Sequence, residues 1–577
     1  MRKIALFLTI CLFIPTIMQA KKQTVTLHII ETSDVHGCFF PWDFINKRPM
    51  KGTLARVSTY INKVRNDNPD GVILLENGDI MQGQPINYFY NYINSDNINI
   101  AAQCVNYLKY DAQNWGNHDT ETGHACYDKW GKEVNAPVLG ANVIDNKTGK
   151  PYLKPYTIIE RQGVKVAVIG MITPAIPNWL PETLWSGLTF TDMVTCARQW
   201  VETVKKEENP DIIIGLFHAG LNGGITTAGY DEDASERVAK EVPGFDAILF
   251  GHDHRVYNNK VINSENKEVL LCNPANNAQN VADVTISLTR NGKKILSKNI
   301  EGKIVDVRNI DVDNNFMTHF AKNIEDVKQW ADRKIGTIDT TITTRDSFFG
   351  SSAFTDLIHN LQMSITGADI SLNAPLTFNA TLAKGDITIA DMFNLYKFEN
   401  QLYTMMLSGE EIRKHLEMSY NLWINTMTSP DDHIMMLDNT SVNDNQRSGF
   451  KNMTFNFDSA AGIIYTVDVT KPYGKKINII SMADGTPFDE NKMYKVAVNS
   501  YRGNGGGELL TRGAGIPKNK LDERIVARTE HDQRWYLMKE IERRGNISPE
   551  PNNNWKFIPE EWAKPAIERD RKIIFGE

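Results

Sequence analysis

Short apolar runs rich in β-branched residues alternate with amphipathic segments across the first half of the chain, from about Val25 to Ile310. The runs have the length of strands, and the segments between them carry apolar residues at helical spacing. This alternation predicts a layered α/β domain. The predicted strands are Val25 to Ile30, Val72 to Leu75, Val164 to Ile172, Ile212 to Leu216 and Ala247 to Phe250, and the predicted helices are Leu54 to Val64, Ala101 to Leu108 and Met193 to Val204.

Polar clusters directly follow several of these apolar segments. Loops that leave the carboxyl ends of strands converge on one site in layered α/β folds, so we expect the side chains to lie together. Carboxylate and amide oxygens combined with imidazole nitrogens, without cysteine, suit Zn, Mn, Fe or Co. One histidine alone is more often structural than a ligand, but repeated clusters at strand ends indicate a metal site. The clusters are Asp34-Val35-His36, Asn77-Gly78-Asp79, Gly116-Asn117-His118, His218 and Gly251-His252-Asp253-His254.

The length and charge of the chain restrict its organisation and its ligands. Its 577 residues exceed what one core usually supports, so we expect more than one domain. The formal net charge is -7, and it becomes -9 without residues 1–20, which contain Arg2 and Lys3 but no acidic residue. Because a negative chain is a poor match for a nucleic acid polymer, we expect any anionic ligand to be held by a local site such as a metal.

The N-terminus has the order of a secretory signal peptide. Arg2 and Lys3 precede an apolar run from Ile4 to Met18, and the small residue Ala20 ends the segment. The run is too short for a comfortable membrane span, and no later stretch reaches the roughly 20 apolar residues that a span needs. The alternative, a buried N-terminal helix, would not explain the basic start. The sequence therefore predicts a signal peptide at residues 1–20 and a periplasmic or secreted protein.

The cysteines do not predict a metal site or a dense disulfide framework. After residues 1–20, five remain in the first half of the chain without CxxC spacing. Export permits one or two disulfides and leaves at least one thiol unpaired within the chain. These residues are Cys38, Cys104, Cys126, Cys196 and Cys272.

A charged amphipathic segment separates two halves of different texture. Phe316, Phe320, Val327 and Trp330 lie at helical spacing in it and predict a linker helix, with a last helix of the first domain as the alternative. Later strand-like runs and helices indicate a separate α+β domain. Its predicted elements are strands at Ile463 to Val469, Ile477 to Ile480 and Tyr494 to Val498, and helices at Ala353 to Met363 and Gly409 to Tyr420.

In their order and spacing, the polar clusters resemble those of the calcineurin-like metallophosphoesterases, and in particular the two-domain 5′-nucleotidase family. The resemblance runs from about Thr24 to about Gly515. It implies a layered metallophosphoesterase β-sandwich flanked by helices at residues 24–310, a linker helix at 311–336 and an α+β nucleotide-binding domain at 337–525. Residues 526–577 would then form a charged C-terminal extension.

The resemblance also implies two divalent metal ions, which can be Zn, Mn, Co or Fe. Two cations that share a bridging carboxylate can activate water and neutralise charge on a phosphoryl group during in-line displacement. The implied ligands are Asp34, His36 and His254 for one ion, Asn117, His218 and His252 for the other, and Asp79 as the bridge between them.

His118 is implied to be a catalytic histidine outside the metal shell, where it could stabilise the transition state or protonate the leaving oxygen. In the family this histidine is paired with a polar residue three positions on, often Asp or Asn. Here that position holds Glu121, which is one methylene longer than aspartate. Asp119 is the alternative partner, and we favour Glu121. The acidic run Asp231-Glu232-Asp233 is interpreted as a solvated loop without a function.

The second domain of the family holds the organic part of the substrate between two aromatic rings. Phe398 and Tyr501 match those two places, with Asn400 as a polar contact to the base. A base stacked on an aromatic ring gains roughly 1 to 3 kcal/mol whichever base it is. For Phe398 alone a place in the core is the more common role of phenylalanine, whereas the glycines after Tyr501 indicate close approach to a ligand.

Several stretches are similar to the exported 2′,3′-cyclic-nucleotide 2′-phosphodiesterase/3′-nucleotidase branch. Among them, the stretch from Ser371 to Thr377 lacks the arginine that 5′-nucleotidases usually carry there. We therefore expect an exported enzyme that hydrolyses 2′,3′-cyclic nucleotides and 3′-nucleotides to nucleoside and phosphate by metal-activated water. The alternatives are a 5′-nucleotidase or nucleotide-sugar hydrolase with the same metal site, and a non-catalytic nucleotide-binding surface protein. The sequence does not determine the oligomeric state.

Overall fold

The computed structural model of the protein describes residues 22–292, 294–438 and 449–577. The predicted signal peptide at residues 1–20 lies outside the described residues. Among the helices of the described ranges, none is long and apolar enough to cross a membrane.

Two six-stranded sheets form the centre of the first domain. The first has the order β12-β11-β1-β2-β3-β4, and the second has the order β9-β10-β8-β7-β6-β5. Inner neighbours are parallel, including β1 with β2 and β6 with β7, while the outer strands β5, β9, β11 and β12 pair antiparallel. The strands are β1 (Lys22–Thr32), β2 (Val72–Glu76), β3 (Ala112–Asn114), β4 (Val138–Leu139), β5 (Tyr156–Arg161), β6 (Val164–Ile172), β7 (Ile212–His218), β8 (Ala247–Phe250), β9 (Val256–Ile262), β10 (Glu268–Pro274), β11 (Asn280–Asn291) and β12 (Lys294–Asp306).

Helices cover the outer face of each sheet. The first sheet packs against α1 (Leu54–Asp67), α2 (Ile100–Leu108) and α3 (His124–Glu133), and the second packs against α4 (Met193–Glu207) and α5 (Ser235–Glu241). Side chains alternate along each strand, so Ile214 on β7 lies between the sheets while Ile213 lies under α4. Because both faces of the inner strands are buried, these strands are continuous apolar runs. The predicted layered α/β fold is confirmed.

The predicted linker segment contains two helices, α6 (Asn314–His319) and α7 (Ala321–Ala331), which meet at Phe320. Phe316, Phe320 and Val327 pack into the core of the first domain beside Phe40. Trp330 lies at the far end and stacks against Tyr88 at 6.1 Å between ring centroids. The segment is therefore anchored to the first domain along most of its length.

The second domain is built around a five-stranded mixed sheet with the order β17-β14-β20-β16-β21 and two three-stranded sheets, β15-β13-β22 and β19-β18-β23. Its longer helices are α8 (Ala353–Thr366), α9 (Ile389–Leu395), α10 (Gly409–Trp423), α11 (Gln533–Arg544) and α12 (Glu560–Phe575). The strands are β13 (Lys334–Ile338), β14 (Ile370–Asn373), β15 (Gly385–Thr388), β16 (Gln401–Ser408), β17 (Ser459–Ala461), β18 (Ile463–Asp468), β19 (Ile477–Met482), β20 (Met493–Asn499), β21 (Ile525–Asp532), β22 (Asn546–Ile547) and β23 (Trp555–Ile558).

The segment expected to be a charged extension, residues 526–577, is part of this second domain. It supplies one strand to each of the three sheets, because β21 pairs with β16, β22 with β13 and β23 with β18. Ala563 and Ala566 of α12 are buried in the same core as Trp555. Most of the charged side chains lie on the exposed faces of these elements, with Arg534 and Asp570 buried, which is why composition alone suggests a separate extension.

The cysteines of the described residues form no disulfide. All five are buried, and burial raises the pKa of the Cys126 thiol to about 12, where the thiolate is scarce at neutral pH. The one or two disulfides that export would permit are therefore not formed among them.

Candidate active site

The seven predicted ligands lie together at the carboxyl ends of the parallel strands. They follow strands of both sheets, so the site lies across one edge of the sandwich. Ligand atoms of two overlapping groups lie within 4.8 Å of one another, and Asn117 joins the second group through its amide oxygen. The groups are Asp34, His36, Asp79 and His254, and Asp79, His218 and His252.

In the first group, imidazole nitrogens face each other and a carboxylate. Nε2 of His254 lies 3.1 Å from Nε2 of His36 and 3.2 Å from Oδ1 of Asp34. The other Asp34 oxygen accepts the backbone N–H of His252 at 3.1 Å. Oδ1 of Asp34 is therefore directed toward the two imidazoles.

In the second group, two histidines converge on one amide oxygen. Oδ1 of Asn117 lies 3.1 Å from Nε2 of His218 and 2.8 Å from Nδ1 of His252. The other ring nitrogen of His218 donates to the carbonyl oxygen of Asn77 at 2.6 Å. This bond leaves the lone pair of Nε2 in His218 free to bind a cation.

Asp79 contacts both groups. Its Oδ2 lies 3.2 Å from Nε2 of His218 and 4.0 Å from Nε2 of His36. Its Oδ1 accepts the backbone N–H of His118 at 2.8 Å, which fixes the carboxylate plane. One oxygen of a single buried carboxylate is thus directed at two sets of ligands.

These residues fit divalent ions. Two ligand atoms bound to one ion at about 2.0 to 2.1 Å lie roughly 2.9 to 3.4 Å apart in octahedral or tetrahedral geometry. The separations of 3.1 and 3.2 Å in both groups fall in this range. Burial lowers the pKa of His36 to about 3, so its imidazole is neutral at pH 7. Neutral imidazole is the form that binds metals.

His218 carries the opposite pKa shift. Burial acts to lower its pKa, but the nearby carboxylates of Asp79 and Asp34 outweigh burial and raise it to about 10. A proton on this ring therefore balances the acidic cluster, and a metal that takes its place releases a proton.

Five of the candidate ligands have left-handed backbone conformations, which non-glycine residues rarely adopt. Their φ values are 51° for Asp34, 49° for His36, 56° for Asp79, 73° for His252 and 57° for His254. Strained backbone of this kind persists where the surrounding structure holds it, and it is concentrated at functional sites.

Two glycines allow the strand-end loops to approach each other. Gly78 has φ 83°, and a Cβ atom there would lie 2.8 Å from Nδ1 of His218. A Cβ atom on Gly116 would lie 2.2 Å from Oδ1 of Asp79. Larger residues at either position would push apart the loops that carry the ligands.

His118 is paired with Glu121, and Asp119 has a different partner set. Nδ1 of His118 lies 2.6 Å from Oε2 of Glu121. Asp119 instead accepts hydrogen bonds from the backbone N–H groups of Gly116 and of the three residues that directly follow Gly78, at 2.8 to 3.0 Å. Asp119 therefore holds the metal-site loops together and is not available to the histidine.

Charge around His118 favours its protonated form. Burial acts to lower its pKa, but the charge of Asp79 and the hydrogen bond that His118 donates to Glu121 outweigh burial and raise it to about 9. Cations bound by Asp79 would cancel the first of these charges, whereas Glu121 would keep its effect. The pair can therefore deliver a proton at neutral pH.

Two segments of the second domain that carry the predicted aromatic residues approach this centre. Tyr501 and Phe398 are half-buried, whereas Asn400 is only 8% exposed. Burial, with a smaller contribution from the charge of Glu232, raises the pKa of Tyr501 to about 12. Glu399, next to Phe398, has its pKa raised to about 7, mainly by burial and also by the charge of Glu121. Tyr501 thus lies near one side of the metal-site residues, and the Phe398 segment lies near another.

One functional candidate was missed from the sequence. The acidic run Asp231-Glu232-Asp233, expected to be a solvated loop, is a strand of a hairpin, and Oε1 of Glu232 lies 3.3 Å from Nε2 of His252. The side chain of Glu232 is 14% exposed. An acidic run looks the same in sequence whether it meets water or a buried imidazole, so no local signal could have found it.

The two groups of histidines and carboxylates lie at the strand ends of a sandwich and share one aspartate. This arrangement is that of a metal-dependent phosphoesterase. Residues 27–256 match the family model described as calcineurin-like phosphoesterase, and residues 334–512 match the model described as 5′-nucleotidase, C-terminal domain. The chain belongs to the family that joins these two domains, and it is a metal-dependent phosphoric ester hydrolase. The family resemblance and enzyme class predicted from the sequence are confirmed.

Individual relatives are similar over most of this chain. The trifunctional nucleotide phosphoesterase protein YfkN of Bacillus subtilis is 26% identical over 93% of this chain, which spans only 39% of that relative. The 2′,3′-cyclic-nucleotide 2′-phosphodiesterase/3′-nucleotidase of Haemophilus influenzae is 25% identical over 94% of this chain and 89% of its own length. A crystal structure of a putative 5′-nucleotidase from Staphylococcus aureus shares the fold, with a TM-score of 0.74 at 22% identity, covering 92% of this chain and 100% of its own.

Proposed function

We propose that the protein is an exported two-metal phosphoesterase that opens 2′,3′-cyclic nucleotides to 3′-nucleotides and then removes the 3′-phosphate. The observation that carries the chemistry is the single Asp79 oxygen directed at both His218 and His36. The substrate assignment is supported by the name of the Haemophilus influenzae relative and by the absence of an arginine between Ser371 and Thr377.

The proposed metal ligands are Asp34, His36, Asp79 and His254 around one ion and Asp79, Asn117, His218 and His252 around the other. When bound, two divalent cations neutralise charge on a phosphoryl group and lower the pKa of water. The buried carboxylates of Asp34 and Asp79 supply the negative charge that attracts them. Mixed oxygen and nitrogen ligands accept Zn, Mn, Co or Fe.

His118 is the proposed general acid. Glu121 holds Nδ1, so Nε2 carries the proton that can be donated to the leaving oxygen. In the first reaction the bond between phosphorus and O2′ breaks, an oxygen from water joins phosphorus, and O2′ takes the proton. In the second reaction O3′ leaves in the same way. One acid that serves both steps is consistent with one site for both substrates.

The second domain would hold the nucleoside. We propose that the base stacks between Phe398 and Tyr501, a contact that is indifferent to the identity of the base. Asn400, which is 8% exposed, is proposed as the polar contact to the base. Enclosure between two domains would also exclude bulk water from the phosphoryl group.

The substrate assignment is tested by measuring phosphate release from 3′-AMP, 5′-AMP, and 2′,3′-cyclic AMP coupled to a phosphatase. We expect the first and third to be turned over with higher kcat/KM. Dominant hydrolysis of 5′-AMP would instead support a 5′-nucleotidase, which the match of the second domain to the 5′-nucleotidase model makes the second candidate.

The metal requirement is tested on the same substrates with Asp79→Ala and with a chelator. Both treatments should abolish turnover, because Asp79 is the only residue shared by the two ligand groups. Turnover that survives exhaustive removal of metal would overturn the mechanism. A protein that binds nucleotide but neither metal nor phosphate ester would instead be a binding protein on this fold.

Export is the remaining part of the proposal, and it rests on residues 1–20. Expression of the full chain with an epitope tag at the C-terminus should yield a mature protein that begins near Lys21 outside the cytoplasm. N-terminal sequencing after cell fractionation measures this. An uncleaved protein confined to the cytoplasm would contradict export but leave the chemistry untouched.

A further inference from the structure

A short acidic hairpin lies against the proposed metal ligand His252. It consists of strands Gly223–Thr226 and Asp231–Asp233, and we call it the acidic hairpin. Glu232, in its second strand, brings Oε1 to 3.3 Å from Nε2 of His252. Asp233 is a weaker candidate partner, because its nearest oxygen lies 3.9 Å from the same nitrogen and also accepts the N–H of Gly220.

The backbone of the hairpin is shaped around the Glu232 carboxylate. Oε2 accepts the backbone N–H of Ile225 at 2.6 Å, so only Oε1 is left for the imidazole. Gly224 has φ 65°, and a Cβ atom there would lie 2.5 Å from the Glu232 carboxyl carbon. The side chain is thus held at both oxygens and fits a space that an alanine at position 224 would fill.

This contact selects the tautomer of His252. In the neutral ring, donation of the Nε2 proton to Glu232 leaves Nδ1 unprotonated, with its lone pair toward Oδ1 of Asn117, 2.8 Å away. Two lone pairs facing each other at this distance repel unless a cation lies between them. The Trp179 ring packs on the imidazole at 5.6 Å between centroids and limits its rotation.

We propose that Glu232 is a positioning residue for the second metal ion. It orients His252, holds its proton on Nε2 and raises the basicity of Nδ1, as carboxylates that accept from metal-binding histidines do. This inference rests on the proposed role of His252 as a ligand. It adds a residue from the acidic hairpin that acts through His252.

The test compares Glu232→Ala, Glu232→Gln and the matched control Asp231→Asn. Asp231 lies in the same strand but pairs with the exposed Arg237 at 2.7 Å and does not contact His252. Metal-free protein is titrated with Co²⁺ in competition with a chelator, and bound metal per chain and the visible absorption of bound Co²⁺ are measured.

We expect Glu232→Ala to weaken one of the two Co²⁺ sites by about 10- to 100-fold and to change its absorption, while the other site keeps its affinity. Glu232→Gln keeps an acceptor without the charge, so its loss should be smaller. Asp231→Asn should match the wild type. Wild-type affinity and absorption in both Glu232 variants would overturn the inference.

Thermal unfolding of the metal-free variants separates positioning from folding. A purely structural role would lower the melting temperature without a site-selective loss of Co²⁺, and that result also counts against the inference. If Glu232→Ala does not fold, Glu232→Gln carries the test alone. Wild-type protein that binds no Co²⁺ would overturn the proposed function itself, whereas two normal sites in every variant would overturn only the role of Glu232.

Discussion

In the site, the predicted catalytic residue His118 contacts Glu121, and Glu121 is the position at which this chain departs from the family pattern. The extra methylene of glutamate is accommodated because both residues lie on one helical turn, Asn117–Thr120 with Glu121 as its cap. Three residues of spacing bring their side chains to the same face. Glutamate at this position therefore reaches the imidazole at 2.6 Å.

Glu121→Gln is expected to move the alkaline limb of kcat/KM for 3′-AMP to lower pH by about 1 unit. Glu121 raises the pKa of His118, and this part of the shift remains when cations cancel the charge of Asp79, so the acid form is present below the raised pKa and is lost as pH rises through it. Removal of the Glu121 charge lowers this pKa, so activity is lost at a lower pH. Steady-state rates between pH 5 and 10 measure the shift.

His124→Gln serves as the control for this profile. His124 pairs with Asp128 at 3.2 Å on the next helix and lies outside the metal groups. The control should leave the profile unchanged. An unchanged alkaline limb in Glu121→Gln would show that His118 is not the acid.

A buried ion pair supports the segment that carries Tyr501. Arg502 and Asp458 are each 2% exposed and share two hydrogen bonds of 2.9 Å, and His415 adds a third contact of 2.8 Å. Burial would raise the pKa of Asp458, but Arg502 and His415 outweigh burial and lower it to about 2. The stabilisation is thus complete above the ordinary carboxyl pKa and is lost as pH falls through about 2.

Arg502→Met should reduce the free energy of unfolding of the second domain by about 3 to 5 kcal/mol, because it leaves the Asp458 charge buried. The acid loss of stability should also begin at higher pH, since the pKa of Asp458 rises. Urea unfolding between pH 2 and 7 measures both effects. The control Arg512→Met removes an exposed pair with Glu508 and should cost at most about 1 kcal/mol.

At the scale of elements, Tyr501 is positioned by a one-turn helix, Ser500–Gly503, and by the glycines that follow it. A Cβ atom on Gly506 would lie 2.5 Å from the ring of Tyr501, so the backbone is pressed against the aromatic face. Phe455 meets the same ring edge to face at 6.0 Å between centroids. The ring is therefore held in place before any ligand arrives.

Tyr501→Ala is expected to raise KM for 3′-AMP about 5- to 150-fold, which corresponds to 1 to 3 kcal/mol of stacking, with little change in kcat. Stacking acts on the ground state and the transition state alike, so kcat is spared. Tyr501→Phe keeps the ring and should behave like the wild type. A fall in kcat at constant KM would contradict the binding role.

At the scale of the whole molecule, polar contacts join the two domains around the Phe398 segment. Oε2 of Glu399 accepts the hydroxyl of Tyr92 at 3.2 Å, and Tyr88 donates to Asp532 at 3.0 Å. Arg534 packs over the Tyr88 ring at 5.2 Å. Asp532 and Arg534 belong to the C-terminal part of the chain, which thereby takes part in the contact between domains.

Tyr92→Phe is expected to weaken the contact between the two domains and to favour arrangements in which they lie farther apart. Loss of one hydrogen bond is worth about 0.5 to 1.5 kcal/mol, or roughly 2- to 12-fold in the population that keeps this contact. Small-angle scattering with and without a nucleotide analogue measures the radius of gyration. Tyr473→Phe, at a residue that is 51% exposed, is the control. Equal radii in wild type and Tyr92→Phe would contradict a role for this bond in holding the domains together.

Local pattern located five strands of the first domain closely but did not identify the strands at the edges of its two sheets, such as Val256–Ile262 and Lys294–Asp306. The strands Val164–Ile172 and Ala247–Phe250 have the predicted bounds, because continuous apolar runs mark strands buried on both faces. The strand Ile525–Asp532 was not predicted, since most of its residues face solvent and its pairing with β16 has register shifts. Edge strands of this kind show little alternation of apolar and polar residues, so their charged composition alone suggested a separate extension.

The sequence by itself determined which residue types stand at the strand ends and in what order, and these are enough to predict the metal chemistry. Only the tertiary structure decided that Asp119 binds the backbone of the loop after Gly78, and that Glu232 contacts His252 twenty positions away. It also decided that the C-terminal segment completes the second domain. The reason is physical: residue type and spacing act locally, whereas such contacts depend on how distant segments pack.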